Sequence, residues 1–394
     1  MSLTSVAARN ATVVVDPLPI AAPPSRLVSL DVFRGITIAA MLLVNNPGSW
    51  SHIYDPLEHA AWHGWTPTDL IFPFFLFIVG VAMTFSFAAQ RIRGVPRGAT
   101  LQRVAMRSGV LVALGLVLAA FPFYGVELAT LRIPGVLQRI GLAFLLASPI
   151  VLLTTPRVQV AVSALLLSGY WALMRWVPVP GHGAGSLEPE SNLAAYLDRS
   201  VLGTAHLWKQ SRVWDPEGLL STLPAVATVL LGALAGRWLR TTRPALEHTV
   251  WMLLAGGAGI VMGLVWHETF PINKNLWTSS YVLFTAGAAL WGLAACYWLV
   301  DVKRWRRWAF PFVVLGVNAI SAFFLSGIMA RILGLVRWTD SSGEAVTLKG
   351  WIHETLFSSW LSPLDASLGF AVVFVLFWMG VMWVFYRRGI FIKV

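Results

Sequence analysis

A short polar segment between two apolar stretches holds the side chains best suited to chemistry. It runs from residue 45 to residue 69 and includes His59 and His63. Histidine titrates near neutral pH, so it is the commonest general base and can also accept an acyl group. The two histidines are four positions apart and would share one face if the segment were helical. They could equally be interfacial histidines that pack in an aromatic belt at a membrane surface.

The same segment makes a poor metal site. The His-x-x-x-His spacing can bind zinc on a helix, but the motif lacks the glutamate of HExxH and has no third ligand nearby. We therefore expect no metal at this position.

Polar groups flank the histidines on both sides. Asn45 and Asn46 could orient His59 or donate a hydrogen bond to a developing oxyanion, although Asn-Asn-Pro-Gly is also a good helix stop. Thr66 and Asp69 form a Thr-x-x-Asp pattern that is typical of a helix N-terminal cap. We expect this structural role for Asp69, and it does not exclude contact with a substrate.

The segment RIPGVLQRIG contains the strongest candidate for an anion site. Arg132 and Arg139 are seven residues apart, nearly two helical turns, which would bring them to one face unless the Pro-Gly pair between them breaks the helix. An arginine inside an otherwise apolar span should point into a cavity. Arg132 could instead snorkel to the outer surface, whereas Arg139 lies about a turn further in, beside Gln138.

Two other places in the chain could bind ligands. The turn FPINKNLW brings Asn273, Lys274 and Asn275 together, where they could bind hydroxyls or carboxylates or simply cap helices. Asn318 lies inside an apolar stretch, where it could line a pocket or form a hydrogen bond between helices. The basic cluster that includes Arg237 could bind phosphate groups, but it could equally set topology and attract anionic lipid heads.

These candidates must be positioned by membrane-spanning helices. Of the 394 residues, 57% are hydrophobic and only 12% are charged, whereas soluble domains average about 25% charged residues. A helix that crosses the hydrocarbon needs about 20 apolar residues. We predict an all-α polytopic membrane protein with a single bundle of about ten transmembrane helices, at residues 29–47, 68–89, 108–124, 135–153, 158–177, 219–238, 249–267, 278–300, 309–332 and 364–386.

Lysine and arginine in the short loops predict the orientation of the bundle. With ten spans, one face receives the N-terminus and all four basic clusters, at residues 91–107, 237–243, 301–307 and 386–393. We assign this face to the cytoplasm, so both termini are cytoplasmic. The polar segment that contains His59 then lies on the opposite side.

Composition and pattern exclude several other features. The net charge of +11 could suggest a nucleic-acid binder, but the basic residues lie in short clusters between apolar runs and form no aromatic-interleaved stripe. Cys296 is the only cysteine, so an intrachain disulfide is excluded. Residues 1–25 lack the pattern of a signal peptide and are predicted to be a disordered cytoplasmic tail, which leaves residues 26–394 as one transmembrane domain.

Taken in order, the motifs of the chain resemble those of one family. They are LDVFRGITIAAMLLVN, EHAAWHGWTPTDLIFPFFLFIVG, RIPGVLQRIG, DPEGLLSTLPAV, LLGALAGRW, FPINKNLWTSSYV, GVNAI and RRGIFIK. This collinear set resembles the heparan-α-glucosaminide N-acetyltransferase family, the lysosomal transmembrane acetyltransferase and its bacterial relatives. The similarity runs from about Leu27 to Val394, which is nearly the whole chain.

The resemblance implies an enzyme that uses cytoplasmic acetyl-CoA to acetylate a glucosamine amine on the far side of the membrane. His59 matches the family's key histidine and Asn45 its pocket asparagine, so these two residues are the catalytic candidates. His63 stands where the lysosomal motif has an asparagine. The lysosomal enzyme also has an extra N-terminal lumenal domain and span, so its processing and substrate choice do not carry over.

The remaining candidates divide between two substrates. For an amino-sugar or glycan acceptor they are Asp69, Asn273, Lys274, Asn275 and His63, and for acetyl-CoA they are Arg132, Gln138, Arg139, Arg237 and Asn318. His59 would act either as general base or as acetyl acceptor. We expect a multi-pass protein of the bacterial inner membrane, surrounded by membrane lipids and without a nucleic-acid partner. The choice between monomer and homodimer stays open.

Two other functions stay open from the sequence. A proton-coupled secondary transporter for sugars or amino-sugars could use His59, Asp69 and Arg139 as a relay. An O-acetyltransferase would keep the acyl donor but acetylate a hydroxyl of an envelope glycan. Release of the CoA thiol by purified protein separates both enzymes from the transporter.

Overall fold

The computed structural model describes residues 27–125, 127–339 and 343–392. The predicted tail at residues 1–25 therefore lies outside the described residues. Of the described residues, 69% are helical. The helices are α1 Val28–Val44, α2 Ile71–Ile92, α3 Arg97–Ala120, α4 Val136–Leu153, α5 Pro156–Trp176, α6 Leu193–Leu202, α7 Thr222–Leu239, α8 Ala245–His267, α9 Ser279–Cys296, α10 Phe310–Val317, α11 Ala319–Leu335, α12 Leu348–His353 and α13 Pro363–Arg387.

The expectation of a helical, polytopic membrane protein is confirmed. The described residues also form two small antiparallel hairpins, which the all-α prediction missed. Strands β1 (Pro178–Val179) and β2 (Gly183–Ala184) make one, and β3 (Arg337–Thr339) and β4 (Ala345–Thr347) make the other. Both lie in long connections between helices, so they do not alter the bundle.

The number of membrane spans is confirmed only in part. Within the described ranges, eight helices are long and apolar enough to cross a membrane, and a bent pair brings the number to nine. The first predicted span corresponds to α1, which has 17 residues and lies at the short end of the range of about 17 to 25 residues expected of a span. The fourth and fifth predicted spans correspond to α4 and α5, which are joined by a short connection as expected.

The predicted ninth span is wrong as a single helix. It consists of α10 and α11, which are bent by 80° at a break between them. Asn318 sits at this break, and its side chain is bonded to the C-terminal segment, where it donates to the carbonyl of Ile390 and accepts from the N–H of Ile392. An asparagine that satisfies backbone groups at a helix break has a local structural reason to be there.

Close helix contacts hold α2 against α7. A side chain at Gly80 would meet the carbonyl oxygen of Val229, and one at Gly232 would meet the carbonyl oxygen of Phe77, both at about 2 Å. Small residues at such crossings let two backbones approach closely, which is the usual device for packing helices within a membrane. The start of α2 is thereby fixed relative to α7.

The two ends of the bundle differ in character. At one end, called here the basic end, Arg237 donates to carbonyls at the α4–α5 turn and Arg240 donates to the carbonyl of Thr84. The other end, called the loop end, carries the segment that contains His59 and the long connection before α7. The polar candidates therefore meet at the loop end, whereas the arginine-rich turns lie opposite.

Candidate active site

The segment between α1 and α2 is not helical around His59. A 3-10 turn at Asp55–Leu57 is followed by an irregular loop, and a second 3-10 turn at Pro67–Leu70 leads into α2. His59 and His63 therefore do not share a helical face, which they would have done only in a helical segment. The loop folds instead around the carboxylate of Asp69, because that group satisfies its backbone donors.

Asp69 organises the loop from a buried position. Its side chain is only 1% exposed, and Oδ2 accepts hydrogen bonds from the backbone N–H groups of Ala60 and Thr66, both at 3.0 Å. The bond from Thr66 is one that the predicted N-terminal cap requires. A buried carboxylate is costly unless it is hydrogen-bonded, so these donors hold the group in one orientation.

The other oxygen of Asp69 binds His59. Oδ1 lies 2.7 Å from Nδ1 of the imidazole. An ionised carboxylate only accepts hydrogen bonds, so Nδ1 carries the proton and Nε2 presents its lone pair. The His59 side chain is 48% exposed, so the imidazole is open to solvent. A buried carboxylate that fixes the tautomer of an accessible histidine is the arrangement by which acyl-transfer enzymes orient a base or nucleophile.

Lys274 brings a third ionisable group to the same point. It comes from the turn between α8 and α9, and its Nζ lies 3.1 Å from each ring nitrogen of His59 and 3.9 Å from Oδ1 of Asp69. Because Nδ1 donates to Asp69, only Nε2 can accept from the ammonium. Burial lowers the pKa of Lys274 below its usual value, although the carboxylates of Asp69 and Glu217 oppose that shift.

Asn273 fixes the turn that carries Lys274. Its side-chain oxygen accepts from the N–H of Leu276 at 2.9 Å, and its amide nitrogen lies 3.3 Å from Nδ1 of His63. His63 thus joins the loop to the turn, and burial lowers the pKa of His63. Asn275 is half-buried in the same turn. The acceptor-side candidates His63, Asn273 and Lys274 are therefore brought together with the His59–Asp69 pair.

Buried aromatic and basic side chains lie beneath this pair. The hydroxyl of Tyr281 donates to the backbone carbonyl of Asp69, and the ring of Tyr281 packs against Trp277 with centroids 5.3 Å apart. The guanidinium of Arg139 lies 5.2 Å from the Trp277 ring and donates to the carbonyl of Gly218 at 2.9 Å. Its Nε and Nη1 find no partner among the described residues, so this buried cation keeps unused donors.

The sequence of this chain is similar to a family of known proteins. The family model described as heparan-alpha-glucosaminide N-acetyltransferase, catalytic, matches residues 26–256. The chain belongs to this acetyltransferase family. The match includes His59, Asp69 and Arg139, whereas Lys274 lies beyond it.

Two relatives in the acetyltransferase family show how far the similarity extends. The heparan-alpha-glucosaminide N-acetyltransferase of Homo sapiens is 31% identical over 357 residues, which cover 77% of this chain and 53% of that protein. The protein of the same name from Mus musculus is 30% identical over 352 residues, which cover 76% and 53%. The chain spans about half the length of these curated relatives.

Arg132 is paired with carboxylates of the protein, so it does not form the anion site that the sequence suggested. It forms a bidentate pair with Asp215, at 2.9 Å and 2.7 Å, and also binds Glu217 at 2.6 Å. The two arginines do not share a helix face, because α4 begins only at Val136. Arg132 therefore fastens the loop before α4 to the loop before α7, and its donors already face two carboxylates.

The other residues expected to bind acetyl-CoA are spread over both ends of the bundle. Gln138 donates to the carbonyl of Ile133 at 3.1 Å, next to the start of α4. Arg237 donates to the carbonyls of Val151 and Thr154 at the basic end. Asn318 is occupied by the C-terminal backbone, as described above. The structure thus brings none of these three into hydrogen-bond contact with another among the described residues.

Asn45 lies at the end of α1 and is exposed, whereas its neighbour Asn46 is buried and donates to the carbonyl of Leu42 at 2.8 Å. Among the residues described, no hydrogen bond joins Asn45 to His59. The orienting role considered for Asn45 is filled by Asp69, so a contact with the reacting group is the role that stays open for it.

Sequence reasoning missed the partnership between His59 and Asp69. The available signal was a carboxylate that lies ten residues from a histidine in the same loop. Asp69 was interpreted only as a helix cap, a role that uses one carboxylate oxygen and leaves the other free to bind His59. It also missed Asp215 and Glu217, which lie in DPEGLL, one of the motifs on which the resemblance rests. Their pairing with Arg132 joins positions more than 80 residues apart, and no spacing rule predicts such a contact.

Proposed function

We propose that this protein transfers an acetyl group from acetyl-CoA to the amine of a glucosamine-type sugar at the loop end of the bundle. The observation that supports it most directly is the His59–Asp69 pair, with Nδ1 fixed at 2.7 Å from the buried carboxylate and the imidazole about half exposed. Membership of the N-acetyltransferase family supplies the reaction class. The sugar specificity rests on the names of the relatives.

In the direct route, His59 acts as a general base. The acceptor nitrogen attacks the thioester carbonyl carbon, and Nε2 removes a proton from that nitrogen. The C–S bond then breaks, and CoA leaves as a thiolate that takes up a proton, so the products are an amide and CoA thiol. Asp69 stabilises the imidazolium that forms in between, because its carboxylate stays ionised beside Nδ1.

In the two-step route, Nε2 itself attacks the thioester and carries the acetyl group before the amine removes it. Both routes need the same tautomer and the same accessible nitrogen. Ping-pong kinetics or a trapped acetyl-histidine supports the second route. Release of CoA thiol only when both substrates are bound supports the first route.

Lys274 and Asn45 complete the proposed site. The Lys274 ammonium lies 3.1 Å from Nε2, so it is the nearest cation to the reacting atoms and can offset negative charge on the thioester oxygen. Asn45 can donate to the same oxygen from the end of α1. Removal of one such donor costs about 3 kcal/mol in comparable sites.

The donor would reach this point from the basic end, which we assign to the cytoplasm. Arginine in the turns at that end, including Arg237, would attract the phosphates of acetyl-CoA. Arg139 and Gln138, near the start of α4, would meet anionic or carbonyl groups deeper in the bundle. The unused donors of Arg139 support this assignment, since a buried guanidinium normally fills them.

The test uses the full chain purified in detergent. Acetyl-CoA and glucosamine are added, and CoA thiol is measured. The wild type should release thiol only with an amine acceptor, and His59→Ala should lose at least 100-fold in rate because the base is gone. His52→Ala, an exposed histidine of the same loop, is the matched control and should stay active.

Three results would overturn the proposal. Full thiol release by His59→Ala would remove His59 from the chemistry. Release with glucose but not with glucosamine would make the protein an O-acetyltransferase. No thiol release from folded wild type, together with sugar uptake in sealed vesicles, would favour the transporter.

A further inference from the structure

A groove opens between α7, α8 and α9 and reaches the basic end of the molecule. It is a cavity of about 610 Å³ whose walls include Leu234, Trp238, Arg243, Ala255, Gly259 and Leu283. Apart from the Arg243–Glu247 pair and the indole N–H groups of two tryptophans, the side chains along it are apolar. The groove therefore suits a hydrocarbon ligand with a polar group at one end.

The length of the groove matches one leaflet of a membrane. Its walls extend along α8 from Glu247 to Gly259, a rise of about 18 Å at about 1.5 Å per residue. One leaflet contributes half of a hydrocarbon core that is about 30 Å thick. An acyl chain that enters beside Arg243 would thus end near the middle of the bilayer, at Gly259.

The groove faces lipid, because α8 is the least covered of the long helices. Leu254, Val261 and Val265 on this helix are each more than half exposed. Exposed aliphatic residues on a membrane-spanning helix contact hydrocarbon in place of water. A lipid chain can therefore enter the groove sideways from the bilayer, without passing through the protein.

The polar end of the groove carries positive charge. Arg243 is 56% exposed, pairs with Glu247 and lies 5.5 Å from the ring of Trp238. Arg240 belongs to the same turn. The indole N–H of Trp238 is buried and has no acceptor among the described residues. A phosphate would be attracted to the charge of Arg243, and an ester carbonyl near Trp238 would supply the acceptor that its indole N–H lacks.

The acyl donor fits this groove poorly. The pantetheine arm of acetyl-CoA has two amides, and a buried amide without hydrogen bonds costs several kcal/mol. Past Arg243 and Glu247, the lining residues along α8 and α9 offer only the indole of Trp251 as a side-chain donor. The groove thus favours a methylene chain over an amide-containing arm.

We propose that this groove binds one acyl chain of an anionic phospholipid from the leaflet at the basic end, with the phosphate beside Arg243. Such a lipid would fill the space between α8 and the rest of the bundle. It would therefore hold α8, and the following turn that carries Lys274, against the bundle. The site is separate from the proposed acetyl-transfer chemistry at His59.

The experiment measures lipid binding to the delipidated full chain by native mass spectrometry. The probes are phosphatidylglycerol and phosphatidylcholine with identical chains. The wild type should prefer phosphatidylglycerol about fivefold, the effect expected of one arginine near an anionic head. Ala255→Trp fills the groove and should weaken phosphatidylglycerol binding about tenfold, because excluding only two methylenes has that effect. Leu253→Trp, at an exposed position of α8 that does not line the groove, is the matched control and should bind as the wild type does.

Arg243→Gln provides a second, surface-exposed variant. It should bind both lipids with equal affinity, since only the charge near the head is lost. Equal phosphatidylglycerol binding by the wild type, Ala255→Trp and Leu253→Trp would overturn the groove assignment. A surviving preference in Arg243→Gln would overturn the phosphate position. Displacement of bound phosphatidylglycerol by acetyl-CoA would show that the groove belongs to the donor instead.

Discussion

At the scale of single residues, the site depends on which nitrogen of His59 carries the proton. Asp69 holds Nδ1–H from a buried position, and the backbone of the loop holds Asp69. The imidazole is therefore set in the tautomer that a base or an acyl acceptor needs. The proposed chemistry therefore depends on one loop and on a carboxylate that is only 1% exposed.

Asp69→Asn tests this arrangement. The amide can donate to Nδ1, which would leave the proton on Nε2 and remove the base. We expect kcat for acetyl transfer to fall by about 10³ to 10⁴-fold, as when a triad aspartate is replaced by asparagine, with little change in KM for acetyl-CoA. Steady-state kinetics measure this.

Asp55→Asn is the control for that substitution, because Asp55 is an exposed carboxylate of the same loop. It should keep wild-type kinetics. If Asp69→Asn also kept wild-type kcat, Asp69 would be only a helix cap, as the sequence pattern alone indicated.

At the scale of elements, the loops at the loop end are held together by buried charges. Arg132 connects the loop before α4 to the loop before α7 through Asp215 and Glu217. Both carboxylates are almost fully buried. A buried pair is stable only when both partners are present, so this contact is a structural requirement of the loop end.

Arg132→Gln should destabilise the protein without a specific effect on acetyl-CoA. Loss of the guanidinium leaves two buried carboxylates unpaired, which costs about 3 kcal/mol. We expect a clear fall in the thermal midpoint in detergent and an unchanged KM for acetyl-CoA. Arg306→Gln, which removes a largely exposed contact with Asp301, should cost less than about 1 kcal/mol. A raised KM with an unchanged midpoint would return Arg132 to the acetyl-CoA site.

Asp198 on α6 gives the loop end a dependence on pH. Burial raises its pKa to about 7, although its carboxylate accepts from the N–H of Leu219 at 2.8 Å. Between the usual aspartate pKa and 7, the folded protein keeps this proton while the unfolded chain has lost it. The free energy of unfolding therefore falls as pH rises through this window and is level above it.

The expected loss between pH 5 and pH 8 is about 2–3 kcal/mol, at about 1.4 kcal/mol for each pH unit up to 7. Asp198→Asn carries no such proton, so its thermal midpoint should fall less over this range than that of the wild type. Glu190→Gln removes an exposed carboxylate from the same connection and should keep the wild-type slope. An identical slope in Asp198→Asn would contradict the assignment.

At the scale of the whole molecule, the two ends of the bundle differ in charge. The arginine-rich turns are at one end, and the His59 loop is at the other. The proposed reaction between a cytoplasmic thioester and an acceptor on the far side would require this separation. The proposed lipid groove at the basic end would add a contact between the bundle and the leaflet on that side.

Cysteine labelling tests the orientation. In a Cys296→Ser background, Ser51→Cys at the loop end should react with an impermeant maleimide in right-side-out vesicles but not in inverted ones. Thr242→Cys at the basic end should show the opposite pattern, because positive turns stay on the cytoplasmic side. Both positions are exposed. Labelling of both from one side would contradict the predicted topology.

The sequence alone determined the membrane class, most helix positions and the motifs of the family. Apolar length and the clustering of arginine are local properties, so α4, α5 and α8 lie close to their predicted bounds. The same reasoning failed at Asn318, because a break of 80° within an apolar stretch leaves no mark on hydropathy.

Only the tertiary structure decided which polar groups meet. His59, Asp69 and Lys274 join because the turn between α8 and α9 lies over the start of α2, a contact across more than 200 residues. Arg132 was equally plausible as an anion site until Asp215 and Glu217 were found beside it. A single sequence states which side chains can ionise, but their partners depend on long-range packing, and those partners decide which cation stays available to bind a ligand.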